Sequence, residues 1–488
     1  MLFHALTALL LAAPAAPVPA PTGTPGGASI DAASIDAVVR AYRDATRIPG
    51  VAVAVTRGRD VVHTAGYGHT AAGAAITAHT VMAVASLSKS VTALAVLQLV
   101  DAGQVRLDAP ARGYLPEFTM ADDRAAAITV RQLLDQTSGM SDTTYRSFSG
   151  SAPHTLREAV ASMRGARLAA DPGARYEYHN PNYQVAARLV EVVSGQPFGA
   201  YLRQRVFRPL GMADSSTGNT ADDLPPSGRG HRMIAGLPVA LPEPPAFGAG
   251  SGGVLSTAHD LAAWLIAQNS QGRGPDGTPV VSPAGLAAMH RAAAARSYGL
   301  GWNIDETASG APLIEHSGGL ITVTAYQALL PSRGYGIAVL ANAGSQYGDA
   351  PALGARLIAL IEGRPVPPPA GPTPLIGIDI VLLLLTLGVV FPAVRGIRRA
   401  RRWARHRPLG PARLARLLPY LFPLLFLVTI HRVVSVLYRG RDISWPQTAY
   451  LYPTFTLLLV VAAAGCVAVL ATRLCQAVRM SRADRRAR

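Results

Sequence analysis

Three long apolar runs close the chain, and they limit what its C-terminal part can become. Residues 375–394 ("LIGIDIVLLLLTLGVVFPAV"), 417–438 and 450–472 are each long enough to cross about 30 Å of hydrocarbon as a helix. In lipid every backbone polar group must be satisfied within the segment, so runs of this kind fold as transmembrane helices. The second is interrupted by His431-Arg432. That pair either faces a partner or cavity or marks a span that ends early.

Charge orients the three runs. The chain carries 45 basic and 29 acidic side chains, a net charge of +16. From Pro374 onward there are 18 arginines and 3 acids, so the first 373 residues are nearly neutral. Nine arginines lie between Arg395 and Arg416 and six follow residue 472, whereas the turn after the second run has only Arg439 and Arg441. Arginine-rich loops stay in the cytoplasm. The first loop and the basic tail, residues 473–488, are therefore expected inside, and everything before Pro374 outside. The same distribution argues against a nucleic-acid surface, because the excess charge belongs to the membrane-flanking segments.

The N-terminus fits this orientation. "MLFHALTALLLAAPAAPVPAPTGTPGG" is a short apolar run followed by small residues and then Pro/Gly, which reads as a signal peptide over residues 1–25, cleaved somewhere beyond Ala13. Its n-region has His4 but no Lys or Arg. Both cysteines, Cys466 and Cys475, lie in the apolar tail, so no disulfide framework is available to the first 373 residues. The twelve histidines show no metal-ligand spacing, and no metal or other cofactor is expected.

Residues 30–362 read as one α/β domain. "SIDAASIDAVVRAYRDATRIPG" places Ile35, Val38, Val39 and Tyr42 at helical spacing and stops at Pro49-Gly50. "GVAVAVTRGRDVVHTAGYG" is a strand pair about a Gly58-Arg59-Asp60 turn, and "ITVTAYQALLPSRGYGIAVLAN" repeats the pattern about Pro331 to Gly334. Strands at both ends with helices between predict an antiparallel sheet built from both termini of the domain, flanked by helices, with a helical insert. A proline-rich, semi-rigid linker follows at residues 363–374.

Within "VMAVASLSKSVTALAV", Lys89 is the only lysine in the chain. It stands three residues after Ser86 at the head of a helix-spaced run, Val91, Leu94, Leu97 and Val100. Positions three apart share a helix face, so amine and hydroxyl can meet. A serine hydroxyl is a weak nucleophile until a neighbouring base takes its proton. Lysine serves only when burial makes it neutral, and arginine, which stays charged, cannot. A composition that replaces lysine everywhere else keeps it here, which marks Ser86 and Lys89 as a candidate nucleophile and base.

From Ile35 to Glu362 the chain resembles the serine β-lactamase and penicillin-binding protein superfamily, in particular the class C β-lactamase, D-alanyl-D-alanine carboxypeptidase and esterase branch. The resemblance rests, in order, on "SLSK", "LLDQTSGM" with Gln136 where histidine is common, "Tyr178-His179-Asn180", "VFRPLGMADS", "GSGGVLSTAHDLAAWL", "YGLGW" and His316-Ser317-Gly318. It implies that Tyr178 shares the proton shuttle with Lys89. It also implies that Asn180, His316 and Gly318 bind substrate, and that the backbone N–H groups of Ser86 and Gly319 form an oxyanion hole. Asn180 has a second reading as a helix N-cap before Pro181. Where β-lactamases carry Lys-Thr-Gly, His316 replaces a fixed ammonium by a group titrating near pH 6.5, which favours substrates less dependent on a free carboxylate.

The expectation is a β-lactamase-like serine hydrolase outside the cell membrane, tethered by three helices with its C-terminus in the cytoplasm. It would be a carboxypeptidase, D-aminopeptidase or esterase acting on a small-molecule or peptide substrate, peptidoglycan among them. The alternative is a membrane sensor that binds β-lactams with little turnover.

Overall fold

The computed structural model describes residues 30–486 apart from 148–149, 151, 294–296, 345–347, 370, 372, 406–410 and 439; the expected signal peptide lies outside the described residues. Helix α1, Ala32–Thr46, starts where the Asp31 carboxylate accepts from Ser34 N at 2.8 Å, and it buries Ile35, Val39 and Tyr42. A side-chain oxygen at that position satisfies one of the orphan N–H groups of the first turn. Strands β1 (Gly50–Arg57) and β2 (Asp60–Gly68) follow as a hairpin.

The longer inserted elements are helix α2 (Ser88–Asp101), helix α3 (Asn180–Ser194), the hairpin β3 (His231–Ile234) and β4 (Leu237–Ala240), and helix α4 (Ala258–Asn269). The chain then returns through β5 (Asn303–Glu306), β6 (Pro312–Gly319), β7 (Thr324–Leu330), β8 (Tyr335–Ala341) and helix α5 (Asp349–Ile361). One six-stranded antiparallel sheet results, ordered β2-β1-β8-β7-β6-β5. Its centre joins the two ends of the domain, with Val51 opposite Ala341 and Arg57 opposite Tyr335. That is the architecture the strand–helix–strand pattern predicts.

Both faces of the sheet are covered, so its central strands are buried along almost their whole length rather than exposing every second residue. Val51, Val53 and Val55 of β1 pack with α1 and α5, while Ala52 and Ala54 join the core around α2 and α4. The small side chains on that face let α4 lie close against the sheet. Helix α2 is buried almost all round, as a helix apolar on every face must be.

After residue 369 come helices α6 (Thr373–Arg398), α7 (Phe422–Leu437) and α8 (Pro453–Arg486). The segments Pro374–Arg398, Leu418–Leu437 and Pro453–Met480 are long and apolar enough to cross a membrane. Helix α7 runs through His431-Arg432 to Leu437 without a break. These helices touch the α/β domain at defined points. Asp379 of α6 accepts from Ala235 N at 2.7 Å, in the β3–β4 turn, and from Thr454 Oγ1 at 2.6 Å. Arg232 of β3 donates to Leu451 O at 3.3 Å.

Candidate active site

Ser86 lies in a 3₁₀ turn, Ala85–Leu87, that feeds directly into α2. Ala85 just before it has φ +49°, a left-handed conformation that costs a non-glycine residue about 1–3 kcal/mol. Buried partners hold that turn in place. Ser88 Oγ donates to Ala85 O at 2.6 Å and accepts from Val254 N at 2.9 Å. Between buried neighbours on both sides, Ser86 alone is partly exposed.

Two side chains converge on its hydroxyl. Lys89 Nζ lies 3.1 Å from Ser86 Oγ, and Tyr178 Oη donates to the same oxygen at 2.9 Å. Lys89 Nζ also donates to Ser251 O at 2.7 Å, within the "GSGG" loop, and sits over the Tyr178 ring at 4.8 Å from its centroid. Lys89 is fully buried. Burial drives its amine well below the ordinary range, the Arg441 guanidinium adds to this, and Asp142 opposes it. Burial pushes the Tyr178 phenol the other way, above its usual value, against the opposing bond to Ser86. The two shifts run in opposite directions, the phenol toward keeping its hydrogen and the amine toward its neutral form.

Strand β6 forms the opposite wall. A Cβ built on Gly318 would meet Val84 O at 2.5 Å and Ala85 Cβ at 3.2 Å, so only glycine lets the strand lie against the nucleophile turn. Gly318 is thus a close-approach position, and Gly319 after it is exposed. His316 departs from the sequence expectation. It is buried, its Nδ1 bonded to Ser317 O at 2.6 Å and its Nε2 to Tyr298 Oη at 3.2 Å. Burial lowers its pKa to about 3. A group expected to titrate near 6.5 therefore stays neutral through the physiological range and supplies no cation.

Asn180 does not cap α3. His179, extended at φ −143° and ψ 115°, is the capping residue; Asn180 is already helical, with Pro181 in the first turn as expected. Among the described residues the buried Oδ1 of Asn180 has no partner, and it lines a small depression with Tyr145, Gln184 and Phe247.

Three participants were not legible as such in the sequence. One is the Ser251 carbonyl on Lys89. The others are Asp142 and Arg441: Asp142 Oδ1 lies 2.8 Å from His179 Nδ1, and Arg441 Nε donates to Asp142 Oδ2 at 3.0 Å. Burial works against the Asp142 carboxylate, but His179 and Arg441 outweigh it and hold its pKa below the ordinary value. The one trace of this in the sequence is that Arg441 stands in the arginine-poor turn.

Residues 35–360 match the protein family described as Beta-lactamase. The chain belongs to that family. Its β-lactamase-like region is 31% identical over 360 residues to Penicillin-binding protein 4 of Amycolatopsis lactamdurans, covering 69% of this chain and 92% of that one. It is 28% identical over 320 residues to Protein flp of Staphylococcus aureus, where the match spans 64% of this chain and 63% of the relative. Among solved structures it resembles the octameric penicillin-binding protein homologue from Pyrococcus abyssi, with TM-score 0.59 and 25% identity over 69% of this chain and 78% of that one. The D-amino acid amidase from Ochrobactrum anthropi has the same fold, with TM-score 0.56 and 23% identity over 67% and 98% of the two chains. Two further solved structures share the fold: a D-stereospecific amidohydrolase from Streptomyces and EstCE1, a hydrolase with promiscuous acyltransferase activity.

Proposed function

We propose that the chain is a membrane-tethered serine hydrolase that forms an acyl-enzyme on Ser86, with a small amide, peptide or ester as substrate. The observation that carries this reading is the approach of both Lys89 Nζ and Tyr178 Oη to Ser86 Oγ, with the lysine buried.

Neutral Lys89 takes the Ser86 proton as Oγ bonds to the substrate carbonyl carbon. The carbonyl oxygen gains the negative charge and is met by the Ser86 and Gly319 N–H groups, a pair of donors worth several kcal/mol in the transition state. The intermediate then expels the amine or alcohol. The leaving group takes the proton from the Lys89 ammonium through the Tyr178 phenol, and the acyl group stays on Ser86. Water, losing its proton to Lys89, attacks the acyl carbon and breaks the ester. The proton returns to Ser86 Oγ.

A neutral His316 leaves the substrate side of β6 without the fixed cation that would select a free carboxylate. The names of the relatives, a penicillin-binding protein among them, make β-lactams and D-amino acid amides reasonable probes. The location, with the hydrolase domain outside and the C-terminus in the cytoplasm, is supported by the arginine distribution. The contact of the α7–α8 connection with Asp142 supports it further, since it requires that connection and the hydrolase domain to share one side.

Membranes carrying the wild type, Ser86→Ala and Lys89→Arg test this with a fluorophosphonate and a fluorescent penicillin. Labelling of wild type alone is expected. Wild type that takes neither reagent would falsify the assignment of Ser86, and wild-type rates for Lys89→Arg would remove Lys89 as the base. The reading as a β-lactam-binding membrane sensor is favoured by one observation, the same reach of Arg441 toward the site. Penicillin labelling that persists without release of product would select it.

A further inference from the structure

The connection between α7 and α8 ends against the hydrolase domain. Its tip is a built turn. Gly440, at φ +81°, donates from N to Ser435 O at 2.8 Å, and Ser435 Oγ donates to Arg441 O at 2.6 Å. A Cβ on Gly440 would lie 3.4 Å from Thr143 Cγ2, so the turn packs beside Asp142. Asp142 is only 5% exposed, and a carboxylate so placed is tolerated only when paired and hydrogen-bonded. Its two oxygens divide between His179 and Arg441. His179 is itself fully buried, its main-chain N donating to Gln136 Oε1 at 3.1 Å, and it sits in the chain between Tyr178 and Asn180.

We infer that Arg441 is a positioning residue of the active site: through Asp142 and His179 it fixes the segment that presents Tyr178 and Asn180, so the hydrolase site is complete only when the α7–α8 turn is docked. The inference rests on the reading of Ser86 as nucleophile. It assigns to the C-terminal apolar module a part in the chemistry, where a plain anchor would have none.

Acylation of Ser86 by fluorophosphonate, followed as a function of pH with the full-length chain in membranes, tests it. Tyr178 and Tyr183 face Lys89 directly, and its electrostatic neighbours are His316, Asp142 and Arg441. The variants change only the last two. Arg441→Ala is expected to slow the limiting rate about tenfold or more, since small misplacements of reacting groups cost this much. It should also move the acid limb to higher pH, because an uncompensated Asp142 favours the Lys89 ammonium. Asp142→Asn should slow the reaction too but move that limb to lower pH, leaving Arg441 unopposed. Arg441→Lys, which keeps a cation at the position, should recover most of the rate.

A loosened domain contact alone would shift both limbs in the same direction or neither, and that outcome overturns the inference. So does an unchanged rate in Arg441→Ala. Should Arg441→Ala fail to accumulate in membranes, Asp142→Asn decides, and an unchanged rate and limb in that variant has the same consequence. Loss of labelling in the wild type strikes instead at Ser86 as nucleophile.

Discussion

Lys89 sits where an ammonium is least stable, enclosed on α2 with one carbonyl, one hydroxyl and two aromatic rings for company. An unfolded lysine titrates near 10.4, and the folded value lies well below that. Across the interval the native state binds fewer protons than the unfolded chain, so this residue's contribution to stability falls as pH drops from the unfolded value to the folded one. Replacing it with an apolar side chain of similar length therefore separates stability from activity. Lys89→Met should gain about 1–3 kcal/mol against urea, the usual scale for removing a poorly satisfied buried polar group, while losing all labelling by acylating reagents. The sequence singled out Lys89 because the chemistry of a lone lysine beside a serine is local. The state of His316 was not legible, because it is set first by burial, which only the folded sheet brings about. With a pKa of about 3, His316 should leave the acid limb of the acylation profile to Lys89. His316→Asn is expected to keep that limb within the measurement error, and a limb that moves would show that the histidine titrates there.

At the scale of elements, the site is a helix turn pressed against a strand. Gly318 has no room for a side chain because Val84 O stands 2.5 Å from where its Cβ would be. Gly318→Ala must push β6 away from the nucleophile turn, an overpacking that costs about 1–3 kcal/mol, and it should lower the acylation rate while the far-ultraviolet circular dichroism stays that of the wild type. Ala85, in contrast, is strained rather than crowded. Ala85→Gly should keep activity and gain up to about 1 kcal/mol in urea unfolding. The strand pairs at the two ends of the domain were readable from their β-rich runs and turns, and they alone predict that those ends meet. The interior helices were less so. Helix α2 buries Ser88, Ser90 and Thr92 in bonds to Ala85 O, Leu87 O and Gly250 O, and a sequence of mixed polarity gives no period from which to read full enclosure.

The whole molecule joins a β-lactamase-family domain to three apolar helices through specific polar contacts. The proposed orientation places Cys475 near the cytoplasmic end of α8. In intact cells a membrane-impermeant maleimide should leave Cys475 unlabelled in a variant lacking Cys466, but should label a cysteine placed at the exposed Ser309. The reverse pattern would invert the orientation. Apolar length and arginine bias made the existence of these helices legible, whereas their docking was not, since it depends on single residues such as Asp379 and Arg441 that resemble any loop charge in the sequence. Asp379 has a mechanical meaning. It lies less than two turns inside α6, and through the amide of Ala235 and the hydroxyl of Thr454 it joins the β3–β4 turn to two of the apolar helices at once. A helix embedded in a bilayer has a set depth, and whatever is clamped to it inherits a set altitude. In the proposed reading Ser86 then works at one fixed distance above the lipid, with no swinging arm, and its substrates are those that diffuse or are delivered into that thin layer.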